Sequence, residues 1–203
     1  MPVPEQVSSA GLLRRGRALE AATLGWNVAG IVVLGIAAVH ARSVALAGFG
    51  LDSLIEIGAS IVVLWELAGT DPTRQQRALR LIGIAFVALA GYLCVQTAVV
   101  LGAGVRPGTS PLGIAWSAVT AVVMFGLAAG KTRTGRRLGN PVLAAEGRVT
   151  VIDGLLASAV LLGLALNATL SWWWADPAAG LVIIYYAISE ARSIRRQLRG
   201  AGG

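Results

Sequence analysis

Cysteine, histidine and lysine each occur once in this 203-residue chain, and charge of any kind is sparse. Cys94, the single cysteine, excludes an intramolecular disulfide and any cysteine-based metal cluster. Charged residues amount to 13%, against roughly 25% in a soluble domain. Hydrophobic residues make up 56%, with a mean hydropathy of +0.72. This is the composition of an integral membrane protein.

Apolar runs cover about 20 to 39, 44 to 66, 79 to 103, 112 to 130, 142 to 170 and 174 to 190. Each is long enough to cross ~30 Å of hydrocarbon as a helix. They are continuous and rich in Ala, Leu, Val and Gly, whereas a β-barrel needs short alternating segments. The expected fold is all-α: a polytopic, six-transmembrane-helix bundle. A cytoplasmic N-terminal tail is expected over 1–18, the transmembrane domain over 19–191 and a basic cytoplasmic tail over 192–203. Pro2, Pro4 and Gly11 suggest that residues 1 to 13 are flexible.

The net charge of +7 is sorted by loop. Arg14, Arg15 and Arg17 precede the first run, Arg74, Arg77 and Arg80 follow the second, and Lys131, Arg133, Arg136 and Arg137 follow the fourth. Arg192, Arg195, Arg196 and Arg199 follow the sixth, while the alternate loops hold only Arg42 and Arg106. With six spans the rich segments share one side, and the positive-inside rule makes both termini cytoplasmic. Such charge sets topology and touches anionic lipid; a nucleic-acid partner is not expected, because no basic soluble domain could carry the site. A signal peptide ending at "VHA" (39–41) is set aside: its apolar run exceeds the 7 to 15 residues or so typical of one. The Arg-heavy, nearly Lys-free composition suggests a bacterial plasma (inner) membrane.

Within the runs, Glu20, Glu66 and Glu190 fall at cytoplasmic ends and Asp176 at an outer end, where solvation or end-capping accounts for them. Asp52, Glu56 and Asp153 are deep. A charge at the bilayer centre costs at least ~2.5 kcal/mol, so such residues face the bundle interior and mark ion or proton paths. The fifth helix starts at Asn140-Pro141, a suitable N-cap and N1 pair. At 1.5 Å per residue Asp52 then lies about 13 Å, and Asp153 about 12 Å, below the outer face. Glu56 is one turn further in on the Asp52 face. Three anions in a low-dielectric pocket require a cation or protons, and exchange of a divalent metal for protons is the natural cycle.

The stretch "SVALAGFGLDSLIEIGAS" (43–60) resembles the second transmembrane helix of the cation diffusion facilitator family, and "AEGRVTVIDGLLASAVLL" (145–162) its fifth. "ADPAAGLVIIYYAI" (175–188) is similar to the sixth, and Asn27 in "GWNVAG" to a polar position of the first. The resemblance implies six helices per protomer, homodimers, and export of divalent metal in exchange for protons. It places Asp52 and Glu56 as the paired ligands of the second helix and Asp153 as the last acid of the fifth. Where the family usually has His or Asp four residues earlier, this chain has Val149. By depth Asn27 is the preferred fourth ligand. A carboxylate-amide site leans from strict Zn²⁺ towards Mn²⁺, Fe²⁺ or Co²⁺. Thr150 is the weaker substitute, since mid-helix threonines bond back to their own backbone, and Glu146, near Arg148, reads as a pathway or ion-pair residue rather than a ligand. Family members usually continue into a cytoplasmic metal-binding domain, which is expected to be missing here.

The remaining features read plainly. His40 is an exposed loop histidine, Trp172, Trp173 and Trp174 form an outer aromatic belt, and Gly126 and Gly130 mark close helix packing. "GFGLD" (48–52) falls one residue away from the Gly-x-Gly-Asp pattern of intramembrane aspartyl proteases and has no Tyr-Asp partner, so no enzyme and no resident cofactor are expected. The expected function is a divalent metal cation transporter, working as a metal:proton antiporter through Asp52, Glu56, Asp153 and Asn27. The alternative is a non-transporting metal-binding or accessory membrane protein of the same fold.

Overall fold

A computed structural model describes residues 4–41, 44–69, 72–104, 110–172, 184–185, 188–189, 191–196 and 198. Five helices are bounded within them: α1 (Pro4–Ala41), α2 (Val44–Leu67), α3 (Pro72–Ala103), α4 (Pro111–Leu138) and α5 (Pro141–Leu170). All five are long and apolar enough to cross a membrane. The described residues from 184 to 198 are helical too, and Ile184 and Ile194 join the buried core. Most of the sixth expected span (174–183, 186–187 and Glu190, including Asp176) lies outside the described residues, as do Arg42, Arg106, Trp173, Trp174 and Arg199.

Two boundaries differ from those expected. α1 starts at Pro4, so helix occupies the segment expected to be a flexible tail. Proline costs nothing in a first helical turn, where its missing N–H has no intrahelical partner. α4 runs to Leu138, so the stretch from Lys131 to Arg137 is its last two turns rather than a loop. A helix satisfies its own hydrogen bonds and need not stop where the apolar run ends.

The helices are amphipathic in the inverted sense that lipid demands. α1 turns Val28, Val32, Ile36 and Val39 outward and buries Glu20, Thr23 and Asn27. α2 exposes Leu51, Leu54 and Ile61 and buries Asp52, Ser53, Glu56 and Ser60. Lipid tails solvate the apolar face, and the polar face finds partners only inside the bundle.

α4 and α5 form the tightest hairpin. Gly139 closes α4 in the left-handed region (φ 62°), and its N–H donates to the Arg136 carbonyl. Asn140 caps α5 directly, its side chain accepting the Leu143 N–H at 2.9 Å, with Pro141 at the first position. A methyl at Gly135 would come 2.7 Å from the Ala144 nitrogen, whereas one at Gly126 would meet nothing within 4 Å. Gly135→Ala should therefore cost about 1–3 kcal/mol by overpacking, and Gly126→Ala should be neutral or slightly stabilising. Thermal unfolding in detergent compares the two; equal melting points would refute the close approach. Gly126 is thus not the intrachain packing residue expected, while Gly130, against Leu19, is.

α1 and α5 each run antiparallel to α2 in a constant register. On α1 and α2, Gly16 lies by Leu67, Gly30 by Ser53 and Gly50 by Leu34. On α2 and α5, Asn140 bonds Glu66 and Thr150 bonds Glu56. Arginines consequently collect at one end of the bundle, where they satisfy the orphan carbonyls at the α2 C-terminus. Arg17 donates to the Leu67 carbonyl at 2.6 Å, and Arg74 donates to the Trp65 carbonyl while stacking over the Trp65 ring.

Candidate cation site

The register carries the acids inward. Extended from Glu66–Asn140 through Glu56–Thr150, it sets Asp52 of α2 opposite Asp153 of α5, and their carboxyl groups face each other within hydrogen-bonding reach. Both are 3% exposed. Among the described residues neither oxygen of Asp153 has a hydrogen-bond donor. Two ionised carboxylates are acceptors only, so this pair holds together through a shared proton or a cation.

Glu56, 2% exposed, lies one turn towards the arginine-rich end. It accepts a hydrogen bond from the Thr150 hydroxyl at 2.9 Å. Thr150 also lies 3.0 Å from the Lys131 Nζ and 3.1 Å from the Glu146 carbonyl. A hydroxyl has one proton; lysine can only donate, so Thr150 accepts from Lys131, and the carboxylate is the stronger acceptor for its own proton. Among the described residues no three His, Cys, Asp or Glu side chains are spaced to hold one ion together. The expected three-acid cluster is thus an aspartate pair with Glu56 a turn away, drawn towards Thr150.

Asn27 falls at the level of Glu56, since Gly30, three residues on, packs by Ser53, three residues before Glu56. It is buried, and its amide nitrogen donates to the Thr23 carbonyl at 3.0 Å. That bond engages the nitrogen and not the amide oxygen. Val149 is buried and apolar and contributes no donor atom.

Sequence reasoning missed the residue that organises the polar interior. Lys131, expected among the basic loop residues, is fully buried. Its ammonium is 3.0 Å from Glu20 Oε2, 2.9 Å from Glu146 Oε1 and 3.0 Å from Thr150. It donates hydrogen bonds to Glu146 and Thr150 and pairs with Glu20 by charge. Glu20 is therefore not a solvated end residue, and Glu146 is an ion-pair residue whose partner is Lys131, while the Arg148 guanidinium donates to the Ala144 carbonyl. Glu66 is likewise buried, bonded at 3.0 and 3.1 Å by Asn140. The legible signal was that sixteen of the seventeen basic residues are arginine. A lone lysine marks a position that wants a compact point charge with tetrahedral donors rather than a planar fork.

The acids and their partners form a column. From Asp52–Asp153 it descends through Glu56–Thr150 to Ser60, Glu20, Glu146 and Lys131, and ends near Glu66–Asn140 at the arginine-rich end. On the other side of the aspartates α2 and α5 bury apolar residues, Leu46, Phe49, Ala157 and Val160, while α3 and α4 bury the hydroxyls of Thr97 and Ser117. Residues 80–198 match the family model of the cation efflux transmembrane domain. The chain belongs to the cation efflux family. It is accordingly a multi-pass membrane protein of a cation transporter family, not of an enzyme family. The match takes in Lys131, Glu146 and Asp153 of this cation efflux protein, and the α2 partners face them through the register above.

Proposed function

We propose that this protein exports divalent transition-metal ions from the cytoplasm in exchange for protons. The observation that carries the proposal is the Asp52–Asp153 pair: buried and face to face on two helices, with both Asp153 oxygens lacking a donor among the described residues. Asp52, Asp153 and Glu56 serve as ligands and proton carriers, and Asn27 supplies an amide oxygen at the Glu56 level. Glu56 joins the pair by turning away from Thr150. An all-oxygen set without imidazole or thiolate favours Mn²⁺, Fe²⁺ or Co²⁺ over strict Zn²⁺ selection.

The arginine-rich end faces the cytoplasm by the positive-inside rule, in a bacterial plasma membrane, and the active form is a homodimer. The polar column then runs from the aspartates towards the cytoplasm, and export proceeds by helices rearranging about a fixed midplane site. Val149 favours one other reading, a non-transporting accessory protein, because it removes a donor from the site.

Uptake of Mn²⁺, Co²⁺ and Zn²⁺ into proteoliposomes under a pH gradient tests both. Wild type should show metal-dependent proton flux and Asp52→Ala none. Absence of flux with every metal would leave the accessory role standing.

A further inference from the structure

We propose that Glu20, Glu146 and Ser60 form a second, inner divalent-cation stop, which the ammonium of Lys131 occupies in this conformation and which a transported ion enters by displacing it. The stop goes beyond the aspartate site and does not depend on it. Glu146 lies seven residues before Asp153 on α5, about 10 Å along the helix, and Ser60 lies two turns beyond Asp52 on α2. The two sites are separate stations on one column.

Three observations point to a ligand rather than to a finished ion pair. The stop has spare acceptors: Glu20 Oε1 and Glu146 Oε2 are buried and have no hydrogen-bond partner. The Ser60 hydroxyl, fully buried, lies against both carboxyls. Charge also favours a divalent occupant. With both glutamates ionised, two carboxylates outweigh one ammonium by one negative charge, and a divalent ion in its place would balance them. Finally, the occupant is a cation on a flexible four-carbon stem, so it can swing aside while remaining attached to α4. Hard oxygen donors from two acids and a hydroxyl suit Mn²⁺ or Mg²⁺ better than a soft ion.

The experiment uses full-length protein carrying Asp52→Asn and Asp153→Asn, so that its outcome is independent of the aspartate site. In that background Lys131→Gln empties the stop. Mn²⁺ binding, followed by equilibrium dialysis and by thermal shift, should strengthen at least tenfold over the Lys131-containing parent. Adding Glu20→Gln and Glu146→Gln should abolish the gain. Unchanged Mn²⁺ affinity on Lys131→Gln in monodisperse protein would overturn the proposal, as would a gain that survives loss of both glutamates. If the Lys131→Gln protein is unfolded in chelator, recovery of monodisperse helical protein on purification in Mn²⁺ supports the stop. Failure to recover refutes it, since the ion would then be unable to take the place of the ammonium.

Discussion

Asp153→Asn is expected to abolish metal-driven proton exchange and, at the same time, to make the purified protein more stable. The two effects have one cause. Asp153 is buried, its two oxygens lack donors, and the Asp52 carboxyl faces it. A buried acceptor left without a partner costs about 1–3 kcal/mol, more when charged. Asparagine is nearly isosteric, carries no charge and offers an N–H to Asp52, so ΔG of unfolding should rise by about 1–3 kcal/mol. Transport should fall by at least ~100-fold, because loss even of a group that only supports a metal ligand costs 10–100-fold. Asp52→Asn should behave alike, and the double variant should gain less stability than the two single gains combined, since the residues act on each other. Thermal unfolding in detergent and flux in proteoliposomes measure the two halves separately. A variant that loses transport and stability together would make Asp153 a packing residue and remove the basis of the exchange mechanism.

The level shared by Asp52 and Asp153 is legible in the sequence because helical rise is a constant and Asn140-Pro141 announces a helix start. Two numbers per helix, entry point and rise, fix depth, and the observed α2–α5 register agrees with that arithmetic. The length of α1 and α4 is not legible in the same way. Hydropathy reports where lipid begins and ends, whereas α4 continues for two further turns as a helix whose buried face carries Lys131, Thr134 and Gly135. Pairing is illegible for a related reason. Glu20, Lys131 and Glu146 are far apart in sequence, each sits where a run of apolar residues fades, and each alone is most simply explained by solvent. Only the α1–α4 and α4–α5 packing brings them within 3.0 Å. Thr150 shows the local rule and its limit together: it does lie against its own backbone at Glu146, yet its hydroxyl also bridges Lys131 to Glu56.

Lys131→Met should destabilise the protein by about 3–5 kcal/mol, because it removes one partner of a buried ionic group and leaves the others uncompensated. Glu20 and Glu146 would then face each other as unpaired anions, and Thr150 would lose the donor that lets it direct its own proton to Glu56. Lys131→Arg should not rescue it fully. A guanidinium presents donors in one plane, while the three partners here surround a tetrahedral head, and the extra volume enters a fully buried position at a cost of about 1–3 kcal/mol. The informative variant is Lys131→Met with Glu20→Gln and Glu146→Gln. Replacing a whole buried ionic cluster with neutral groups is often neutral or stabilising, so the triple variant should regain most of the loss. Chemical denaturation in mixed micelles gives the three values. A Lys131→Met protein as stable as wild type would mean that Glu20 and Glu146 hold protons rather than charge, and the ammonium would then have no anions to join.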